Sequence, residues 1–165
     1  MRILGIDPGY AIVGWGVLDY RGNKFSVVDY GSIETPAGMN FNNRLLKIYD
    51  DLDLIIKRTK PDFLSIEKIF YNSNAKTAIN VSQARGVLLL CSIQNNLEIF
   101  EYTPLQVKQA VVGYGRAEKK QIQEMTKIIL NLKKIPKPDD TADALAMAVC
   151  HAHSYGSLIF EEKIK

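Results

Sequence analysis

Short apolar blocks dominate the first third of the chain, and a helical period replaces them after residue 40. Ile3, Leu4 and Ile6 form a compact apolar run that ends on Asp7, directly before the turn signal Pro8-Gly9. This pattern predicts a buried central strand over residues 3–7. Residues 11–19 form a second β-rich block and residues 25–31 a third. The turn at Tyr20-Arg21-Gly22-Asn23 and the short connections between the three predict an antiparallel meander. Gly14 and Gly16 fall on one face of the second strand, where missing side chains invite close approach by another backbone or a ligand.

Past the loop at 36–40, Leu45, Ile48, Tyr49, Leu52, Ile55 and Ile56 recur at helical spacing and predict a helix over 42–59, ended by Pro61. Residues 62–67 form a buried strand that finishes on Glu67, as the first finishes on Asp7. A polar loop at 68–74 carries Phe70 and Tyr71, and a helix over 75–95 and a strand over 97–102 follow. Thr103-Pro104 is a helix start, with Thr as N-cap and Pro at the first helical position, for a helix over 104–112 that stops at Gly113. Ile122, Met125, Ile128, Ile129 and Leu132 mark one side of a helix over 118–132. A Pro/Lys linker at 133–138 leads into a last helix over 140–153. Three strands as a meander, followed by helices alternating with two more strands, predict an α/β fold. Its mixed five-stranded sheet, antiparallel meander then parallel strands, carries helices on both faces.

At 165 residues the chain suffices for one domain with a sizeable core, expected over 1–155, with 156–165 as a flexible C-terminal tail. The longest aliphatic run, Val87-Leu88-Leu89-Leu90, is far too short to span a bilayer, and the first residues lack the apolar core of a signal peptide. Cys91 and Cys150 have no Cys-x-x-Cys pairing and read as buried thiols of a reducing cytoplasm. Net charge is only +3, yet it is unevenly spread. From residue 108 to 137, eight basic residues (Lys108, Arg116, Lys119, Lys120, Lys127, Lys133, Lys134, Lys137) meet two acids (Glu118, Glu124), so the rest of the chain is net acidic. One basic segment on an acidic body fits a face for a polyanion and equally a solvated helix surface.

The acids carry the candidate chemistry. A carboxylate at the end of a buried strand is costly unless something pairs with it. For Asp7 a hydrogen-bonded turn and a metal ion are both adequate partners. Asp139, Asp140 and Asp143 open the last helix, where capping and the helix dipole also favour acids. Asp140 and Asp143 are spaced i, i+3 and share a helix face, while Asp7 and Glu67 end strands that this topology can set side by side. Four converging carboxylates need divalent cations, and a set of hard oxygen ligands with no His or Cys cluster selects Mg²⁺ or Mn²⁺. Two such ions suit in-line hydrolysis of a phosphodiester. His151 and His153 are two apart on a helix and do not share a face. The sequence has no Gly-x-Ser-x-Gly elbow, His-Glu-x-x-His, Walker loop or Gly-x-Gly-x-x-Gly.

Ile3-Leu4-Gly5-Ile6-Asp7-Pro8-Gly9, Ile66-Glu67, Ser82-Gln83-Ala84-Arg85-Gly86-Val87, Val107-Lys108-Gln109, Ala117-Glu118-Lys119 and Asp140-Thr141-Ala142-Asp143-Ala144-Leu145-Ala146, taken in order, resemble the bacterial Holliday-junction resolvases of the RuvC family. The likeness runs from Met1 to about His153. It implies an RNase H-like fold, a homodimer and Mg²⁺-dependent symmetric nicking of two opposed strands in a four-way DNA junction. Two Mg²⁺ ions per site are expected, with Mn²⁺ as a substitute. By motif match, Asp7, Glu67, Asp140 and Asp143 correspond to the family's catalytic, metal-holding acids. Some members carry His at the position of Asp143, and this chain keeps Asp. Lys108 and Lys119 match basic residues near the DNA, and Phe70 matches an aromatic of the substrate-facing loop. Tyr71, Arg116 and Lys120 complete the expected DNA contacts, with Phe70 and Tyr71 suited to stacking on unpaired bases. Dimerisation suits a two-fold substrate, and residues 87–93 are a candidate interface, with burial against the sheet as the other reading. The branch-migration proteins RuvA and RuvB are the partners that the resemblance suggests. An actin-like ATPase, a catalytically dead junction-binding module and a less selective RNase H-like nuclease are the competing readings. The first needs a second copy of the fold, and the second a missing acid.

Overall fold

The computed structural model describes residues 1–68 and 75–162. In chain order its elements are β1 (Arg2–Asp7), β2 (Ile12–Arg21), β3 (Lys24–Glu34), α1 (Phe41–Thr59), β4 (Phe63–Glu67), α2 (Ala75–Gln94), β5 (Glu98–Tyr102), α3 (Pro104–Val112), α4 (Lys119–Ile129) and α5 (Asp139–Glu162). The five strands form one sheet in the order β3-β2-β1-β4-β5. β1–β2 and β2–β3 are antiparallel, whereas β1–β4 and β4–β5 are parallel. This is the expected mixed sheet, with the meander on one side of β1 and the parallel strands on the other.

Alternation along the strands sorts the core into two halves. Leu4 and Ile6 of β1, Leu64 and Ile66 of β4, and Val13 and Trp15 of β2 pack with α1 and α2. Ile3, Phe63, Phe100 and Tyr102 look to the other face, against α3, α4 and α5. Every second residue of β1 and β4 therefore faces α5. Ser65 shows this directly: its hydroxyl donates to the Met147 carbonyl of α5 at 2.7 Å. Asp7 and Glu67 share the parity of Ile3 and Ser65, so the sheet turns both toward α5.

Helix α5 lies unusually close to the sheet, because three glycines make room for it. A Cβ on Gly5 would stand 2.0 Å from the Ala144 carbonyl oxygen, and one on Gly14 would stand 1.9 Å from that of Asp140. On Gly16 it would meet Leu145 Cδ2 at 2.5 Å. Gly5 pairs with Gly16, and Asp7 with Gly14, so the track crosses two strands. The close approach expected at Gly14 and Gly16 is that of α5, by its backbone at Gly14 and by the Leu145 side chain at Gly16.

Some boundaries differ from the sequence reading. The β2–β3 hairpin is longer at both ends, turning tightly on Gly22 and Asn23, whose φ angles are 55° and 61°. Helix α5 continues past His153 to Glu162, since nothing in its sequence stops it and Gly156 is accommodated with open space around it. The loop between Thr35 and Asn40 is organised by Arg44. This buried side chain donates to the carbonyls of Thr35, Pro36, Ala37 and Met39 and to the Thr35 hydroxyl.

Candidate active site

At the carboxyl ends of β1 and β4 a cleft of about 330 Å³ opens between the sheet and helices α3, α4 and α5. Asp7, Glu67, Asp143, Lys108 and Lys119 line it, above an apolar wall of Pro104, Val107, Ile122, Ala146 and Met147. Chain direction and pairing explain the strand acids. β1 and β4 are parallel neighbours, their ladder ends at Ile6↔Ile66, and the next residue on each is the acid.

The helix acids come from the first turns of α5. Asp143 is held from α4 by Lys119, whose Nζ stands 2.7 Å from Asp143 Oδ2. Gln123 of α4, a buried side chain, approaches the other oxygen at 3.5 Å. Asp140 lies one turn earlier, with its main chain seated on Gly14. Asp139 points elsewhere, pairing with Lys137 at 2.5 Å, which holds its carboxyl below the usual range.

Electrostatics tie the other three acids to Asp7, although Asp140 does not itself line the cleft. Burial pushes Asp7 up to about 8, and the charges of Asp143, Glu67 and Asp140 push in the same direction against the opposing pull of Lys119. Glu67 is raised as well, by burial first and then by Asp143. Lys119 is raised by its bond to Asp143. An acid held near neutrality by burial and by neighbouring carboxylates is a site short of positive charge. Among the described residues no group of three or more His, Cys, Asp or Glu is drawn together closely enough to grip an ion. Lys119 is the cation nearest to hand, and it is spent on Asp143. The donor chemistry fits a hard divalent ion: carboxylate oxygens only, under mutual repulsion, on a water-accessible wall.

The expected DNA contacts divide by position. Lys108 and Lys119 face the carboxylate cleft. Arg116 and Lys120 do not; they border a separate open hollow of about 540 Å³ with Tyr114, Glu118, Gln121 and Glu124. Glu118 is the N-cap residue of α4 and Glu124 pairs with Lys127, while Arg116 and Lys120 form no ion pair among the described residues. Phe70 and Tyr71 lie outside the described residues. Sequence reading missed Tyr114 and Gln123. The only signal for Tyr114 was an aromatic between two glycines, and Gln123 looked like any polar helix residue.

The family model described as "Crossover junction endodeoxyribonuclease RuvC" matches residues 3–151. This chain belongs to the RuvC family. The RuvC of Ruminiclostridium cellulolyticum is 56% identical over 165 residues, covering 99% of each chain. Among solved structures, Thermus thermophilus RuvC superposes with a TM-score of 0.88 at 31% identity, covering 95% of this chain and 96% of the other. The same protein in complex with a Holliday junction substrate gives 0.87 at 28% identity, with the same coverage. The match spans all five strands, so the cleft sits within the shared part of the fold.

Proposed function

We propose that this chain is a metal-dependent endodeoxyribonuclease that resolves four-way DNA junctions by nicking two opposed strands symmetrically. The observation that carries the reading is the cleft in which Asp7, Glu67 and Asp143 meet beside Lys108 and Lys119, with Asp7 pushed up by burial and by the other carboxylates. Asp7, Glu67, Asp140 and Asp143 would hold two Mg²⁺ ions, or Mn²⁺ in their place. When bound, such a pair lowers the pKa of a water for in-line attack and stabilises the leaving oxygen of the phosphodiester.

The protein's own groups bind and orient. Lys108 and Lys119 draw a phosphate to the cleft mouth by a sequence-independent, salt-sensitive attraction. Asp7, on the central strand, is fixed in place, so the strand must come to it. Lys120 at the start of α4, with Tyr114 and Arg116 of the turn before it, lines the neighbouring hollow, a position suited to the backbone of an adjacent arm. Phe70 and Tyr71, three and four residues after Glu67, are assigned to stacking on bases at the opened junction centre.

Two opposed strands call for two equivalent clefts, and hence a homodimer. Leu90 and Ile93 of α2 support this, standing 53% and 60% exposed within the candidate interface at 87–93. RuvA and RuvB are proposed partners on the strength of the family. Among the described residues no helix is long and apolar enough to cross a membrane. Cys91 and Cys150 are free and buried, in keeping with a proposed cytoplasmic location.

The test offers a four-way junction, a duplex and an RNA–DNA hybrid with Mg²⁺, Mn²⁺, Ca²⁺ or EDTA. Paired nicks in the junction alone, with Mg²⁺ or Mn²⁺ only, are expected. Preferential hydrolysis of the hybrid would overturn the proposal.

A further inference from the structure

The pairing of β1 with β4 ends at Ile66, one residue short of Glu67. On its other edge β4 stays paired to its last residue, Glu67 standing opposite Tyr102 of β5 and Lys68 donating to the Tyr102 carbonyl at 2.9 Å, so only the β1 side of Glu67 is left without a strand. A main-chain carbonyl at such an end loses its place in the ladder and needs another donor. Arg85 of α2 supplies one, its Nε standing 3.1 Å from the Glu67 carbonyl oxygen. The other arm of the guanidinium is ion-paired with Glu101 of β5. Glu101 is opposite Ile66 in the β4–β5 register and so faces α2, the side away from the cleft. The Arg85 side chain is only 15% exposed.

We propose that Arg85 is a positioning residue for Glu67, acting through the main chain where β4 ends. The proposal rests on the reading of the cleft given above. The planar guanidinium is anchored at both ends, on the Glu67 carbonyl and on the Glu101 carboxylate. It thereby fixes the Glu67 peptide at the point where the chain turns out of the sheet. The peptide plane sets the direction of the Glu67 side chain, which has three rotatable bonds and would otherwise swing away from Asp7 under their mutual repulsion. Arg85 touches neither substrate nor the Glu67 carboxylate; it holds the acid from behind. A lysine could not do this, because a single ammonium lacks the fork that spans two acceptors.

The test uses the full chain and three readouts: Mn²⁺ affinity by calorimetry, junction affinity in Ca²⁺, and cleavage rate at saturating junction. Arg85→Gln is expected to weaken Mn²⁺ binding and slow cleavage by roughly tenfold or more, as loss of an outer support does at metal sites. Junction affinity is expected to stay within about twofold, because no DNA contact is removed. Arg85→Lys should show the same losses, and it carries the test if Arg85→Gln fails to fold. Glu101→Gln should show them in smaller measure. Wild-type Mn²⁺ affinity and cleavage in a folded Arg85 variant would overturn the proposal. Glu67→Gln is the control. If it loses both properties while the Arg85 variants lose neither, this inference alone fails. If Glu67→Gln also keeps both, the reading of the cleft fails.

Discussion

Gly14 leaves no room for a side chain against Asp140: a Cβ on Gly14 would lie 1.9 Å from the Asp140 carbonyl oxygen. The same glycine stands opposite Asp7 in the β1–β2 ladder. One missing side chain thus sets the distance between a strand acid and the helix that brings two more.

Gly14→Ala is expected to lift the start of α5 off the sheet. The obstacle is backbone, which cannot swing aside, so strain of about 1–3 kcal/mol follows, as for other overpacked sites. Cleavage should fall by roughly a hundredfold, the effect of about an ångström of misplacement at a reacting centre. Thermal unfolding and single-turnover nicking check this together. A variant that cuts at the wild-type rate would show that the seat of α5 is not critical.

Asp7→Asn should abolish cutting and leave junction binding largely intact, since the acid adds no attraction for phosphate. It should also raise the metal-free melting temperature at neutral pH, because folding no longer has to neutralise a carboxyl that burial and like charges push up to about 8. Mg²⁺ should raise the melting temperature of the wild type and do so less for the variant, as binding to the native state requires. Melting curves in EDTA and in Mg²⁺ give all four values. Full nicking activity in Asp7→Asn would refute the assignment.

His151 makes stability depend on pH away from the cleft. It is fully buried among Phe63, Phe100, Tyr102 and Tyr155 and shares a 2.8 Å hydrogen bond between Nδ1 and the Tyr102 hydroxyl. Burial pushes its pKa down to about 4. Between an ordinary histidine's value near 6.5 and about 4, the unfolded chain binds a proton that the folded chain does not. Stability therefore falls as pH falls through this window, by up to about 1.4 kcal/mol per pH unit from this group. Denaturant midpoints for the wild type and His151→Phe at several pH values should diverge across the window. Parallel curves would count against it.

Arg116→Ala and Lys120→Ala should weaken junction binding and reduce the slope of log affinity against log salt by about one each. The cleavage rate at saturating junction should hold, because their hollow is separate from the carboxylate cleft. Lys119→Ala should differ, losing cleavage at saturation too, since Lys119 holds Asp143. Salt titrations with saturating kinetics separate the two behaviours.

Leu90→Asp should shift the chain toward a monomer in light scattering and break the pairing of nicks on opposed strands. A Leu90→Asp protein that stays dimeric would move the interface elsewhere.

Local pattern made much of this legible. An apolar run ending on an acid is visible for both Asp7 and Glu67, and period-two alternation then fixes which face each acid takes. The i, i+3 spacing put Asp140 and Asp143 on one helix face, and the structure sets Asp143 in the cleft and Asp140 one turn earlier on Gly14. The glycines of β2 announced a close neighbour without naming it, because the partner lies more than a hundred residues away at Asp140 and Leu145. Long-range partners were the hidden part. Nothing near Arg85 in sequence points to the Glu67 carbonyl, and nothing near Gln123 points to Asp143. The basic segment looked like one surface, yet helix geometry splits it: Lys119 turns into the cleft while Arg116 and Lys120 turn toward the other hollow.

The ordering of the acids along the chain has a consequence for biosynthesis. Asp7 leaves the ribosome well before Asp143, which follows it by most of the chain. Helix α5 can settle only on a track that β1 and β2 have already built. A chain whose β1–β2 track has not yet formed therefore has no seat that holds Asp140 and Asp143 beside Asp7.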